Sequence, residues 1–488
     1  MKILFYYNSV YYPGIALLSS FLKQRGHITE LLFDPAIGTN HYMDVPILNN
    51  IISKKKLVNK AIRFNPDLIA FSFVTNQFQD MQVMGRLLKN ELSVPIIAGG
   101  THPTIMPEQV INENWVDIVC IGEGEYAISE LLENIENKKD YTKISNLWVK
   151  DSVGEIHKNK LRPLINDLDI LPFPDYEMFA RYGLINKRID IITGRGCMNA
   201  CTYCINSFKK QLYSGENILR RRSPENVIAE LKELKNTFNP SSFRFLDDTF
   251  AYDVNWLKDF GRDYKHFINL PFRCTLNPNV TKPEIIAALK ASGCESVTMG
   301  LQSASYRIRS DIMNRYHTNE KIIEISDSLK KNKIKLSVDL IYGTPTETPS
   351  EMSETLEFCS KLKLHSVTPS FFYPFPKTIL TEKCIEEGYL TKELYARVVK
   401  GEGSYHTAFL LNHPYKDYVL KYQALTQIFI IVPGFLKKYF RWLLKRKYNI
   451  VHRFFHFISI PMNEFYEFRR RLFMIPKVLI KTRKEISR

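Results

Sequence analysis

Hydrophobic and polar stretches alternate in two blocks along the chain, and each block predicts its own sheet. Over roughly residues 1–150, apolar runs of strand length are separated by segments whose apolar positions recur at helical spacing. Lys2 to Tyr7 predicts a strand. Gly14 to Arg25 predicts a helix with Ile15, Leu18, Phe21 and Leu22 on one face. Ile28 to Phe33 and Leu68 to Phe73 predict strands, and Gln79 to Lys89 a helix. Val94 to Ala98 predicts a strand running into Gly99 and Gly100. Ile118 to Ile121 predicts another, running into Gly122-Glu123-Gly124-Glu125, with a helix to about Ile135. Alternation at this spacing gives an α/β fold with a doubly wound, flavodoxin- or Rossmann-like parallel sheet. Ligands of such sheets sit at the carboxyl ends of the strands, where these glycines fall. Glycine there permits either close approach of a ligand or merely a tight turn.

Residues 151–185 carry Pro163, Pro172 and Pro174 among short polar stretches and predict a linker. Alternation resumes over 186–385. Strands are predicted at Asp190 to Thr193, Ser242 to Leu246, Phe272 to Leu276, Ser296 to Met299, Lys335 to Ile341 and Ser366 to Phe372. Helices are predicted at Pro224 to Asn236, Val254 to Phe267, Pro283 to Ser292, Glu320 to Asn332 and Pro349 to Leu362. Six such units predict a partial (β/α)6 barrel with its site at the carboxyl ends of the strands. Residues 386–488 predict a helical extension.

Composition changes this picture in one place. The 488 residues are 45% apolar and 24% charged, as expected of a globular chain with room for several cores. The net charge of +16 is concentrated at the end: from Lys416 to Arg488 there are 17 Lys and Arg against 4 Asp and Glu, a net of +13. Bases and aromatics interleave there, as in Phe435-Leu-Lys-Lys-Tyr-Phe-Arg-Trp442, which predicts amphipathic helices. Such helices fit a solvated basic face, adsorption to anionic lipid, or nucleic acid. Nucleic acid ranks last, because no recognised binding module accompanies the bases. No run reaches the roughly 18 apolar residues of a spanning helix. The best stretch, Ala424 to Leu436, contains Gln427 and Pro433. Met1 to Tyr7 reads as a strand rather than an export signal, so a reducing cytoplasm is expected, with peripheral contact at the inner membrane face through the basic tail.

Eight cysteines are too few and too scattered for a disulfide scaffold. Three are clustered: Gly194-Arg-Gly-Cys197-Met-Asn-Ala-Cys201-Thr-Tyr-Cys204, directly after a predicted strand. A structural zinc takes four ligands, and the nearest further cysteine, Cys274, is seventy residues on. Three thiolates suit a cubane iron–sulfur cluster with one iron left open for a substrate's amino and carboxylate groups. Three thiols in a polar loop would make a poor buried core.

C-x3-C-x2-C with Tyr203 before the last cysteine resembles the radical SAM superfamily. Phe245-Leu-Asp-Asp-Thr-Phe250, Gly300-Leu-Gln-Ser303 and Leu340-Ile-Tyr-Gly-Thr-Pro-Thr-Glu347 are similar to strand-end segments of its cobalamin-associated branch. The segments around Gly14, Gly99 to Glu108 and Asp117 to Glu125 resemble the cobalamin-binding domain found ahead of such barrels. The branch includes class B methyltransferases and anaerobic magnesium-protoporphyrin cyclases.

The resemblance implies a [4Fe–4S] cluster on Cys197, Cys201 and Cys204 that cleaves S-adenosylmethionine (SAM) reductively to a radical, which abstracts hydrogen from an unactivated carbon. It implies SAM contacts from Tyr203, Asp247, Asp248, Gln302, Ser303, Arg315, Gly343 and Pro345. It also implies cobalamin contacts from Gly14, Gly99, Gly100, His102, Gly122 and Glu123. Gln302 stands where the family often has Glu, and Asn277 where many relatives have Arg. Aligning Gly14 with the family's D-x-H-x-x-G places Ser9 and Tyr11 at the Asp and His positions, which implies base-off cobalamin without a protein imidazole. The implied partners are a small-molecule substrate and a flavodoxin- or ferredoxin-type electron donor; a hydrophobic substrate fits the aromatic, basic tail. C-methylation is the expected outcome. The alternatives are ring formation or oxidation without methyl transfer, a vestigial cobalamin domain, and a cluster-bearing sensor without turnover.

Overall fold

The computed structural model describes residues 1–8, 11–35, 39–40, 43–44, 53–406, 408–455 and 478–487. The first sheet comprises β1 (Lys2–Asn8), β2 (Ile28–Asp34), β3 (Leu68–Ser72), β4 (Ile96–Gly99), β5 (Ile118–Cys120), β6 (Leu147–Lys150) and β7 (Ile156–Lys158), in spatial order β2-β1-β3-β4-β5-β6-β7. The first five are parallel and the last two antiparallel. The order reverses at β1, which has β2 on one side and β3 on the other, and this is where a doubly wound sheet opens its ligand crevice.

β1 shows why the sheet forms. Ile3, Phe5 and Tyr7 bury on one face, and Leu4 and Tyr6 on the other. A strand buried on both faces reads as a continuous apolar run. The Leu4 face is covered by Leu57, Val58 and Ala61 of the helix Lys54–Phe64 and by Met81, Met84 and Leu88 of the helix Phe78–Glu91. The Ile3 face is continuous with the core of the second sheet.

The second sheet has β8 (Arg188–Ile191), β9 (Ser242–Phe245), β10 (Phe272–Leu276), β11 (Cys294–Gln302), β12 (Lys335–Tyr342) and β13 (Ser366–Phe371), all parallel and in chain order. This is the partial barrel. Four of its connecting helices start on side-chain caps: Ser223, Asp253, Thr318 and Thr348 each accept a hydrogen bond from a first-turn amide.

The structure departs from the sequence expectation in definite places. The first barrel strand is Arg188–Ile191, two residues earlier than expected, because Thr193 leaves the sheet to bond Asp247. The helix Lys54–Phe64 carries three lysines in its first turn, which masks its apolar face. β7 and the helix Tyr176–Ala180 lie inside the stretch read as a linker. In the C-terminal region, helix Lys416–Ile431 is buried from Lys421 to Phe429, and Gln423 donates to the Pro369 carbonyl of β13. It stops before Pro433, and helix Gly434–Leu444 follows. Among the described residues no helix is long and apolar enough to cross a membrane.

Candidate active site

The cysteine loop leaves β8 on a shaped path. The Thr193 backbone N–H and hydroxyl both donate to Asp247. Gly194 and Arg195 then pair antiparallel with Arg220 and Arg221. Gly196 has φ +85°, and a Cβ there would lie 2.0 Å from the Ile218 carbonyl oxygen, so no other residue fits. The chain then delivers Cys197 and Cys204 half-buried and Cys201 buried. Burial pushes the Cys197 thiol up and the Cys204 thiol to about 11.

A second loop, at residues 312–315, holds the first. It follows a π-helical turn at Ile308–Ile312. The Thr202 N–H donates to the Met313 carbonyl at 3.2 Å, and Asn314 Nδ2 to the Ala200 carbonyl at 2.9 Å. Arg315 is buried; its Nη1 donates to Cys201 Sγ at 3.3 Å and its Nη2 to the Gly300 carbonyl at 2.6 Å. Three sulfur donors beside a fixed guanidinium fit a cluster with one iron free of protein better than a closed four-ligand zinc site.

The residues expected to touch SAM fall into two groups. Gln302 ends β11 in the left-handed region at φ +68°, and its amide folds over Gly300, whose carbonyl Arg315 holds. Tyr203 is half-buried between Cys201 and Cys204. Asp248 is exposed on the cavity wall and accepts from Asn206 Nδ2 at 2.9 Å. These gather around the thiols.

The other group is engaged elsewhere. Asp247 lines the cavity but is 5% exposed, its carboxylate already holding Thr193. Burial raises its pKa and Arg221 opposes that rise. Asp247 therefore anchors the loop rather than presenting a free carboxylate. The Ser303 hydroxyl is fully buried against Thr355 and accepts from the Ser305 N–H. Gly343 and Pro345 are buried, and a Cβ on Gly343 would lie 2.4 Å from the Phe409 ring. They shape a turn held by Glu347, which accepts from the Gly343 and Thr344 N–H groups.

A cavity of about 520 Å³ lies between the carboxyl edges of the two sheets. Gly14, Gly99, Gly100, Gly122 and Glu123 line one side; Gly194, Arg195, Gly196, Asn206, Asp247 and Asp248 line the other. A smaller cavity of about 350 Å³ reaches Cys197 and shares Tyr213 and Ile218 with the first. His102 is not at the cavity. It is fully buried against Phe73 and Phe78, with Nδ1 3.2 Å from the Thr75 hydroxyl, and burial lowers its pKa to about 3. Its strand-end position suggested a pocket, but the short helix Thr101–Ile105 turns the ring into the core. Tyr11 is buried too, stacked on Tyr176 and edge-on to Phe179. Ser9 lies outside the described residues.

Sequence reasoning missed an ionic clamp across the cavity. Arg195, two residues before Cys197, donates to Glu123 at 2.7 Å and also to Glu125. Arg220 donates to Glu123 at 2.8 Å, and the Ile165 N–H at 2.9 Å. Although burial opposes ionisation, the two guanidiniums and the amide bring the Glu123 carboxyl down to about 2. The signal was present: two acids follow β5, and an arginine sits between the glycines of the cysteine loop.

Residues 191–359 match the radical SAM superfamily, and residues 6–132 match the B12 binding domain. An uncharacterized methyltransferase of Pyrococcus horikoshii is 28% identical over 67% of this chain and 71% of its own length. A tRNA-2-methylthio-N(6)-dimethylallyladenosine synthase of a Thermoanaerobacter species is 31% identical over 70% of this chain and 73% of its own. The fold is similar to that of the radical SAM methyltransferase TsrM from Kitasatospora setae with cobalamin and [4Fe–4S] cluster bound: TM-score 0.63, 16% identity, 79% of this chain and 75% of that one.

Proposed function

The chain belongs to the radical SAM superfamily, with a B12-binding domain ahead of its barrel, and from that premise we propose that it methylates an unactivated carbon of a small-molecule substrate. It is a cobalamin-dependent radical SAM enzyme whose cofactors are a [4Fe–4S] cluster, SAM and cobalamin. When bound, these groups supply a carbon radical and a transferable methyl group, with a flavodoxin- or ferredoxin-type donor as reductant.

The chain's own residues hold and orient. Cys197, Cys201 and Cys204 ligate the cluster, and Arg315 steadies the Cys201 sulfur through a charge-assisted hydrogen bond. Asp248 offers its exposed carboxylate to the SAM ammonium, and Gln302 offers its amide to the methionine or ribose end. Gly14, Gly99, Gly100 and Gly122 leave backbone open to a corrinoid lying along the first sheet. With Tyr11 stacked into the core and His102 turned away from the cavity, neither side chain would ligate the cobalt of a corrinoid held there.

One observation carries the reading. The loop that bears the thiols walls the same cavity that the glycine ends of the first sheet wall from the other side. A cluster held by the thiol loop and a corrinoid held by the glycine ends would therefore open onto one shared space. The test is anaerobic reconstitution with iron, sulfide and hydroxocobalamin, followed by turnover with the substrate. Cluster, bound corrinoid, 5′-deoxyadenosine and a product heavier by one methyl group are expected. 5′-Deoxyadenosine together with an oxidised or cyclised product lacking that methyl would overturn it.

A further inference from the structure

The helix Gly434–Leu444 presents the wrong face to solvent for an ordinary surface helix. It packs inward through Phe440, Leu443 and Leu444. Phe435, Tyr439 and Trp442, at i, i+4 and i+7, form a stripe on the outer side and are 76%, 46% and 48% exposed. Tyr439 and Trp442 stack at 5.8 Å. Lys438, Lys445 and Arg446 are exposed around this stripe, and the Arg446 guanidinium lies 4.7 Å over the Trp442 ring. Of the four aromatics on this helix, three point outward.

Neighbouring segments extend the patch. Ile431 precedes the helix, and Ile450 and Phe454 follow it, at 50%, 78% and 58% exposure. The helix is fixed to the barrel: Arg441 makes a bidentate pair with Glu357, and Lys437 lies over the Phe429 ring. Lys438, Lys445 and Arg446 form no ion pair among the described residues. The aromatic stripe is thus held outward on a rigid support, with cations beside it.

We propose that this face is a docking surface for an anionic lipid bilayer. An aromatic strip flanked by lysine and arginine on a short helix matches the interfacial zone of a membrane, where rings enter at headgroup level and cations meet acidic headgroups. Charge complementarity selects the occupant, because +13 of the net charge lies in the last 73 residues. A nucleic acid would meet the same cations, but it does not call for the apolar Phe435, Ile450 and Phe454. The surface lies outside the cysteine loop and the cavity, so docking does not depend on the assignment of the reaction.

The test is sedimentation of the full reconstituted protein with vesicles of phosphatidylcholine alone or with a third phosphatidylglycerol. Binding to the acidic vesicles, weakened by salt and negligible on neutral ones, is expected. The triple variant Lys438→Glu, Lys445→Glu, Arg446→Glu should weaken binding on the order of a hundredfold. Phe435→Ser with Trp442→Ser should abolish it while leaving SAM cleavage unchanged. Equal binding to both vesicle types, or none to either, would overturn the proposal. So would tighter binding to a single-stranded oligonucleotide that survives Phe435→Ser with Trp442→Ser, or a soluble dimer that those substitutions dissociate.

Discussion

Both sheets of this molecule end in glycines at their carboxyl edges, and both edges face one cavity, yet they prepare for their ligands differently. The barrel edge works through side chains: three thiols, a guanidinium bonded to one of them, and an exposed carboxylate. The first sheet works through backbone, with Gly100 and Gly122 where a Cβ would intrude and no imidazole lining the cavity among the described residues. A cluster must be ligated, whereas a large planar cofactor must mainly be accommodated. A side-chain site is broken by deleting one atom. A backbone site is broken by adding one.

The largest effect should come from the side-chain edge. Replacing Cys197, Cys201 or Cys204 singly by Ala should remove the cluster and reduce SAM cleavage to background. Iron and sulfide content read directly whether the loss is of cluster or of turnover. Corrinoid loading should survive, because the first sheet contributes no atom to those thiols. Joint loss of cluster and corrinoid in a folded protein would show that the two edges form one site and break the comparison. The converse variant, Gly122→Val, places a Cβ 1.8 Å from the Tyr213 hydroxyl position at a φ of +78°. It should cost corrinoid at least tenfold in affinity, with cluster content retained.

The clamp joining the edges comes next. Arg195 meets Glu123 and Glu125, and all three side chains are more than three-quarters buried. Removing one partner from a buried pair leaves the others uncompensated. Arg195→Ala should therefore destabilise by about 3 kcal/mol, as read from denaturant midpoints. Glu123→Gln should cost less, because the amide still accepts from Arg220. If the Arg195→Ala and Glu123→Gln effects simply add in a double-mutant cycle, the clamp does not couple the sheets.

Legibility followed the same division. The barrel's strands and its thiol loop could be read because thiols at fixed spacing have few other uses and strands alternate with capped helices. The first sheet's strands could be read from apolar runs, but the helix Lys54–Phe64 was hidden by its lysines and the β6–β7 hairpin by the shortness of its strands, four and three residues. Roles failed where a side chain's direction mattered. Asp247, Ser303 and His102 sit at strand ends as expected. Only the folded chain shows that Asp247 holds Thr193, Ser303 faces Thr355, and His102 packs against two phenylalanines. Spacing gives position along an element, whereas a partner far off in sequence decides what the side chain does.

Two buried carboxyls sharpen the contrast through pH. Glu123 is driven down to about 2 against the cost of burial, so it favours the folded state above the ordinary carboxylate range and loses that contribution as pH falls towards 2. Glu347, fully buried, is raised to about 8 by that burial, and its hydrogen bonds from the Gly343 and Thr344 N–H groups only partly oppose that. Its contribution is present at acid pH and is lost as pH rises from the ordinary carboxylate range to about 8. Glu347→Gln should flatten the decline in thermal midpoint on the alkaline side and leave the acid side unchanged. Glu123→Gln should do the reverse.

The smallest effect is expected at His102, and it decides whether that imidazole serves the first sheet as a ligand. The ring is buried neutral, with its pKa lowered to about 3, so the unfolded chain takes up a proton that the folded chain refuses. Stability from this group is complete above the ordinary histidine range and fades as pH drops towards 3. His102→Gln keeps a polar partner for Thr75 but loses the ring packed on Phe78 at 4.7 Å, which should cost about 1 kcal/mol. Corrinoid loading and the visible spectrum of bound cobalamin should not change, because the imidazole does not reach the cavity. A spectral change on substitution would mean that His102 swings out to the cobalt, and the first sheet would then also hold its cofactor by a side chain.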